Sequence, residues 1–258
     1  MRIRHFIMIP FLALMLIFGF VSFSKGHLDN ISIVTCIEIT SDDEGICRLR
    51  AELADTKEDG GSQQGMGTKL LLSEGASLHD AWNNLTRIDS SIYTGHVRLI
   101  LLDAETAEKT GFDELSEFIL RIGDIRFNTP VALYDSKAGD ILDAETLVSG
   151  NRGLDLSRSI RSASSAGTNV NTEAFQVINS VGESSLPLLF PVISTVDTGG
   201  TLSAYIDDTA VFSDGELIKR GRIIQNTDTR SRLTGRTAPE DLVIRSDETD
   251  NKKEMISA

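Results

Sequence analysis

"HVRLILLD", His96–Asp103, is the stretch on which the fold turns. Val97 to Leu102 is apolar apart from Arg98, the pattern of a strand buried on both faces. "TPVALYDS", Thr129–Ser136, reads as a second strand, with Pro130 at its start, where it need not donate to a ladder. Between the two, Asp103 opens a helical region broken at Gly111. Thr110 and Asp113 can cap its second part, and Phe112, Leu115, Phe118, Ile119 and Ile122 form the buried stripe of that part. Strand, helix and strand in this order predict a crossover unit with parallel strands.

Upstream, "ISIVTCIEIT" and "ICRLRAEL" flank "SDDEG" and read as a β-hairpin. A polar, Gly-rich loop follows, then the short strand "TKLLLSEG". "SLHDAWNNLTRI" is a helix: Ser77 and Asp80 resemble a capping box, and Leu78, Ala81, Trp82, Leu85 and Ile88 fall on one apolar face. Downstream, "KAGDILDAE" predicts a short helix, and residues 146–170, rich in Ser, Gly, Asn and Arg, predict a linker or long loop. "NTEAFQVINSV" predicts a short amphipathic helix. "SLPLLFPVIS", with two prolines, predicts an edge strand or extended loop. "LSAYIDDTAVF" and "LIKRGRI" predict two strands joined at Asp214-Gly215. Residues 226–258 read as a polar tail, disordered after Ser246. The expected class is α+β, with mixed sheets and flanking helices. It divides into a subdomain over 25–145, the linker, and a smaller α+β subdomain over 171–225.

The chain has 258 residues and a formal net charge of -13. Losing residues 1–24 would remove Arg2 and Arg4 and no acid, leaving the rest more acidic still. Such a surface argues against nucleic acid and anionic head groups as partners and fits a domain held off a membrane by repulsion. Arg2 and Arg4 precede an apolar run, Phe6–Phe23, and Ser22 and Ser24 are small residues suited to cleavage before Lys25. The run, about 18 residues, is also near the minimum for a spanning helix. Signal peptide and retained membrane anchor both fit, and either exports the rest of the chain. Cys36 and Cys47 lie on the hairpin out of register with each other, so two buried thiols are expected rather than a disulfide.

Catalytic signatures are not visible. "GESS", Gly182–Ser185, is not a nucleophile elbow, and no phosphate-binding glycine loop occurs. "SDDEG" is too short for a calcium loop, and the four histidines are scattered, so no metal or other cofactor is expected. His96 precedes a buried strand, where a hydrogen-bonded structural role is expected. Arg98 is expected to form an ion pair at the sheet edge. Arg126 and Asn128 precede the next strand as a turn pair or a partner-binding edge.

The segment Tyr93–Leu142 resembles the Ger(x)C family of spore germination proteins, the C subunits of germinant receptors. The resemblance rests on Gly95, His96 and Arg98; on Leu120 and Arg121; on Ile125, Arg126, Asn128 and Thr129; and on Lys137, Ala138, Asp140, Ile141 and Leu142. "LDNISIVTCIEIT" and "DDTAVFSDGELI" are similar to further family segments in the same order, with Cys36 and Asp208 where the family has glycine. The resemblance implies a non-enzymatic accessory subunit beside multi-spanning receptor subunits of the A and B type, on the outer face of the spore inner membrane. Family leaders end in an acylated cysteine, and none lies between Met1 and Thr35. Family members also continue into a further C-terminal domain, and this sequence, which stops soon after the "TAVF" hairpin, is expected to be a shortened form. A receptor subunit gains from staying at the membrane, which inclines the leader reading towards the anchor. Partner contact is expected at Gly95, His96, Arg98, Arg126 and Asn128. The alternative is an exported module that captures a small solute between the subdomains.

Overall fold

A computed structural model of the chain describes residues 31–54, 68–135, 141–144, 150–181, 187–197, 199, 201–213, 215–224 and 243–245. Strands β1 (Ser32–Ser41) and β2 (Cys47–Ala54) form the expected hairpin. Next come β3 (Thr68–Gly75), helix α1 (Leu78–Ile88), β4 (Ile92–Tyr93) and β5 (Leu99–Asp103). Helices α2 (Ala104–Thr110) and α3 (Asp113–Ile122) lead to β6 (Val131–Tyr134). A 3-10 turn at Ile141–Asp143 precedes α4 (Arg152–Ala166) and α5 (Ala174–Ser180). Strands β7 (Leu188–Asp197), β8 (Leu202–Ser213), β9 (Glu216–Ile224) and β10 (Val243–Arg245) complete the described elements.

The fold is α+β, as the sequence pattern predicts: one mixed sheet with flanking helices, in the order β10-β9-β8-β7-β6-β5-β1-β2-β3, with β4 beside β1. Its centre is parallel, β1 with β5, β5 with β6 and β6 with β7, which bears out the crossover unit. Both wings are antiparallel. The centre is buried on both faces, so side chains alternate between two cores. Ile100, Leu102, Val131 and Leu133 point to the side covered by α1, α3 and α5. Leu99, Leu101, Ala132 and Tyr134 point to the other, where Ile141, Leu142 and the α4 residues Leu156 and Ile160 close over them.

The hairpin register is Cys36 opposite Glu52 and Ser41 opposite Cys47, so the cysteines do not meet; both are unpaired and buried, as expected. Ser77 caps α1 by accepting from the Asp80 amide at 3.1 Å. Leu78, Ala81 and Leu85 of its apolar face are buried, but Ile88 at the end of the helix is exposed. Helix α3 buries Leu115, Phe118 and Ile119, yet its N-cap is Phe112 with no side-chain bond; Thr110 instead donates to the Thr106 carbonyl.

Several expectations are corrected. Residues 146–170 contain the 15-residue helix α4, not a linker. The sheet runs on from β6 to β7, so the expected boundary is not a break in it. "SLPLLFPVIS" is not at an edge: β7 lies between β6 and β8, and the sheet tolerates Pro191 because the β7–β8 register shifts there. Strand β10 lies inside the stretch read as a polar tail and pairs antiparallel with β9. The leader, most of "KAGDILDAE" and the tail after Ser246 lie outside the described residues.

Helix α4 forms where composition argues for a loop because its first turn is held on a buried carboxylate. Glu52 on β2 is fully buried. Its oxygens accept from the amides of Arg152 (2.8 Å) and Gly153 (2.9 Å) and from the Thr35 hydroxyl (2.9 Å). An anion at a helix N-terminus meets unpaired amides and the positive end of the helix dipole. Asn151 caps the same turn, accepting from the Leu154 amide and donating to Thr35 Oγ1, each at 2.8 Å.

Candidate functional site

Parallel strands share their ends. The segment before β5 and the turn before β6 therefore emerge on one side of the sheet, the amino end, together with the start of β1. Two bonds join the two segments: the Ile100 amide to the Pro130 carbonyl at 3.0 Å, and Thr129 Oγ1 to the Val97 carbonyl at 3.4 Å. The motif segments 95–98 and 126–129 are thus one surface rather than two.

Gly95 is buried under the ring of Tyr93. A Cβ there would stand 2.3 Å from the phenol oxygen, so a larger residue would have to push the exposed Tyr93 ring aside. His96 is half-buried, and its ring meets Tyr93 edge-to-face at 5.7 Å between centroids. That ring contact holds it, rather than the expected hydrogen bond; it has none among the described residues. Arg98 bonds through its backbone, its amide donating to the Thr35 carbonyl at 2.8 Å. Its side chain is exposed, and among the described residues it forms no ion pair, contrary to expectation. Solvent satisfies the guanidinium.

Arg126 and Asn128 bracket a turn closed by the Thr129 amide on the Arg126 carbonyl at 2.9 Å. Both side chains are exposed. The backbone between them is a junction. The Phe127 carbonyl accepts from the Phe175 amide, and Thr129 from the Ala174 amide, each at 2.9 Å, which fixes the start of α5. The Asn128 carbonyl accepts from Arg161 of α4 at 3.2 Å. Sequence reasoning misses three exposed aromatics on this surface: Tyr93, Phe127 and Phe175. Phe127 stands inside the motif, between Arg126 and Asn128. Phe175 lies off the buried Ala174–Val177 side of α5, which is the available signal.

Charge is distributed unevenly along the strands. The turns at the carboxyl ends of β1 and β5 carry Asp42, Asp43, Glu44, Glu105, Glu108 and Asp113, with Lys109 as the only cation in residues 42–46 and 104–113. Lys109 bridges Asp43 at 2.8 Å and Glu105 at 3.0 Å. At the amino end Asp89 accepts from Ser32 and from Ser91, and these bonds hold its carboxyl below the usual aspartate range. No group of three or more potential metal ligands occurs among the described residues.

What the surface offers is contact chemistry: guanidinium groups and aromatic rings on a rigid sheet end, with no nucleophile–base pair at His96 among the described residues. The fold is that of an α+β domain. The family model described as the spore germination protein N-terminal domain matches residues 24–195, about two thirds of the chain. The chain belongs to that family, in its GerAC-like form. No curated protein and no solved structure matches it.

Proposed function

We propose that this chain is a non-catalytic accessory subunit of a spore germinant receptor complex and works by binding. The observation that carries this is the family match over 24–195, which makes a role in spore germination the functional frame. The geometry is consistent with it: His96, Arg98, Arg126 and Asn128 gather at one end of the sheet, beside the buried Gly95. The partner is a multi-spanning receptor subunit of the A or B type, met at the outer face of the spore inner membrane. No helix among the described residues is long and apolar enough to cross a membrane, so in this reading attachment falls to the apolar run Phe6–Phe23.

The test is affinity capture of the tagged full chain from detergent-solubilised spore membranes. A multi-spanning receptor subunit should co-purify, and the Arg98→Glu/Arg126→Glu double variant should recover at least about tenfold less of it. Capture of the chain without any such subunit would sink the proposal.

A further inference from the structure

Among the described strands, β3 (Thr68–Gly75) ends the sheet beyond β2. Its outer edge presents backbone groups to no further strand among the described residues. Natural sheets blunt such an edge with a bulge, a proline or a very short strand. Strand β3 uses none of these. It pairs with β2 along its whole length without a register shift, and its centre is Leu70-Leu71-Leu72. Leu71 and Ser73 face α1, so Leu70 and Leu72 point to the opposite side, where they are 36% and 52% exposed. The strand is held in place. Arg152 donates to Thr68 Oγ1 at 3.0 Å, Ser73 Oγ to the Ala81 carbonyl at 2.7 Å, and Asn84 to the Glu74 carbonyl at 2.8 Å. A Cβ on Gly75 would lie 2.3 Å from the Ala81 amide nitrogen, so α1 closes over the end of the strand and the open edge is Thr68–Glu74.

A strand added there must offer apolar residues at the matching positions. The stretch of this chain next to β3, residues 55–67, is a poor strand by composition: Met66 is its one large apolar residue, among Gly60, Gly61, Gly65 and Gly67. Strand β3 itself fits. Two copies related by a two-fold axis normal to the sheet pair antiparallel, and facing residues share a side only if their numbers sum to an even value. Centring the axis on Leu71 uses the whole open edge. Leu71 then meets Leu71, Leu70 meets Leu72, Lys69 meets Ser73 and Thr68 meets Glu74 of the second copy. Leu70 and Leu72 of both copies form one cross-strand cluster. No like charges face each other. Glu74 of each copy, bridged to Arg48 at 2.8 Å, arrives beside the Thr68 hydroxyl of the other and so beside Arg152. Centring on Leu72 would instead set Glu74 against Leu70 and draw Gly75 out from under α1. Centring on Leu70 would pair only Thr68–Leu72 within β3 and set Lys69 against Leu71.

We propose that two copies of this chain join their sheets through the β3 edge, antiparallel over Thr68–Glu74, with Leu71 on the two-fold axis. The motif segments 95–98 and 126–129 precede β5 and β6, across β1 and β2 from this edge, so the dimer leaves them open to another protein. Because the axis is normal to the sheet, both copies can sit on one membrane with the sheet lying flat to it. The pairing does not depend on contact with a receptor subunit.

The test uses the full chain in mild detergent and its Leu70→Cys and Leu72→Cys variants; Cys36 and Cys47 are buried. Oxidised alone, each variant sets its new thiol opposite a leucine. Oxidised as a mixture, the two thiols face each other within disulfide reach, and the mixture should give at least about fivefold more cross-linked dimer than either variant alone. Sedimentation at about 0.1 mM should show a dimer, and Leu72→Lys, which puts ammonium groups into the leucine cluster, should weaken it at least about tenfold. Leu120→Lys, at an equally exposed leucine of α3, should not. A monomer at that concentration, a dimer that survives Leu72→Lys, or equal cross-linking in all three samples would overturn the pairing. Cross-linking of either cysteine to another protein of a spore membrane extract, in place of the second copy, would assign the edge to that protein and also overturn it.

Discussion

A Cβ added at Gly153 would lie 2.7 Å from the Cys36 Cβ and 2.8 Å from the Thr35 carbonyl oxygen. Gly153→Ala must therefore push α4 off β1, at a cost of about 1–3 kcal/mol. At about 2–4 °C per kcal/mol for a domain of this size, thermal unfolding should shift down by several degrees; an unchanged midpoint would show that the helix slides freely. Glu52 tests the same contact from the other side. Glu52→Leu strands the amides of Arg152 and Gly153, each worth about 1–3 kcal/mol when buried without a partner, while the Thr35 hydroxyl keeps the carbonyl of residue 52. Glu52→Gln keeps an acceptor, so chemical denaturation should rank wild type above Gln and Gln above Leu. Burial, then the carboxylates of Glu52 and Glu38, raises the Cys36 thiol well above its usual range. Burial, then Glu114 and Asp42, pushes Cys47 up to about 11. Neither should react with a thiol reagent at neutral pH until the protein unfolds; fast native labelling of either would contradict this. Asp89 sets a pH window. Bonds from Ser32, then Ser91, depress its folded pKa, so its stabilisation is full above the ordinary aspartate value and is lost as pH falls through the folded one. Wild type should exceed Asp89→Asn in stability near neutrality, and the gap should close below about pH 4. A gap constant down to strong acid would refute the assignment.

Among the elements, the local signals read well wherever a face is periodic. The β1–β2 hairpin, β5, α1 and β6 follow from apolar pattern and turn chemistry. Helix α4 does not, because its stripe is thin: Leu156 and Ile160 are its only large buried apolar residues. Its start is set by Asn151, by the absent side chain of Gly153 and by Glu52, about 100 residues earlier in the chain. Asn151→Ala should cost about 1–2 kcal/mol as a lost cap. Hydrogen exchange should show the first-turn amides of α4 losing protection before those of β5. Uniform loss across both would mean that the cap does not hold the helix separately. Strand β7 escapes a local reading for a related reason. Proline forbids a ladder donor, which argues for an edge, but a register shift at Pro191 accommodates it inside the sheet.

At the scale of the whole molecule, β6 and β7 join the stretches 25–145 and 171–225 into one sheet, with Leu133 opposite Val192. Phe190 and Phe212 from the later stretch stack and abut on Phe112 from the earlier one, at 4.9 and 5.1 Å between centroids. The two stretches should therefore unfold together. The fluorescence of Trp82, the single tryptophan, and the exchange of β8 amides should share one transition; two separated transitions would restore the pair of subdomains. The sequence by itself determined the α+β class, the parallel crossover, the unpaired thiols and the family, because hydrophobic period, turn residues and short motifs are local. Only the tertiary structure decided that residues 152–166 are a helix and that a proline strand is interior. It also brought His96, Arg98, Arg126 and Asn128, with three unremarked aromatics, onto one end of the sheet. Strand order and the approach of distant side chains are set by packing between segments remote in the chain, and no local pattern records them.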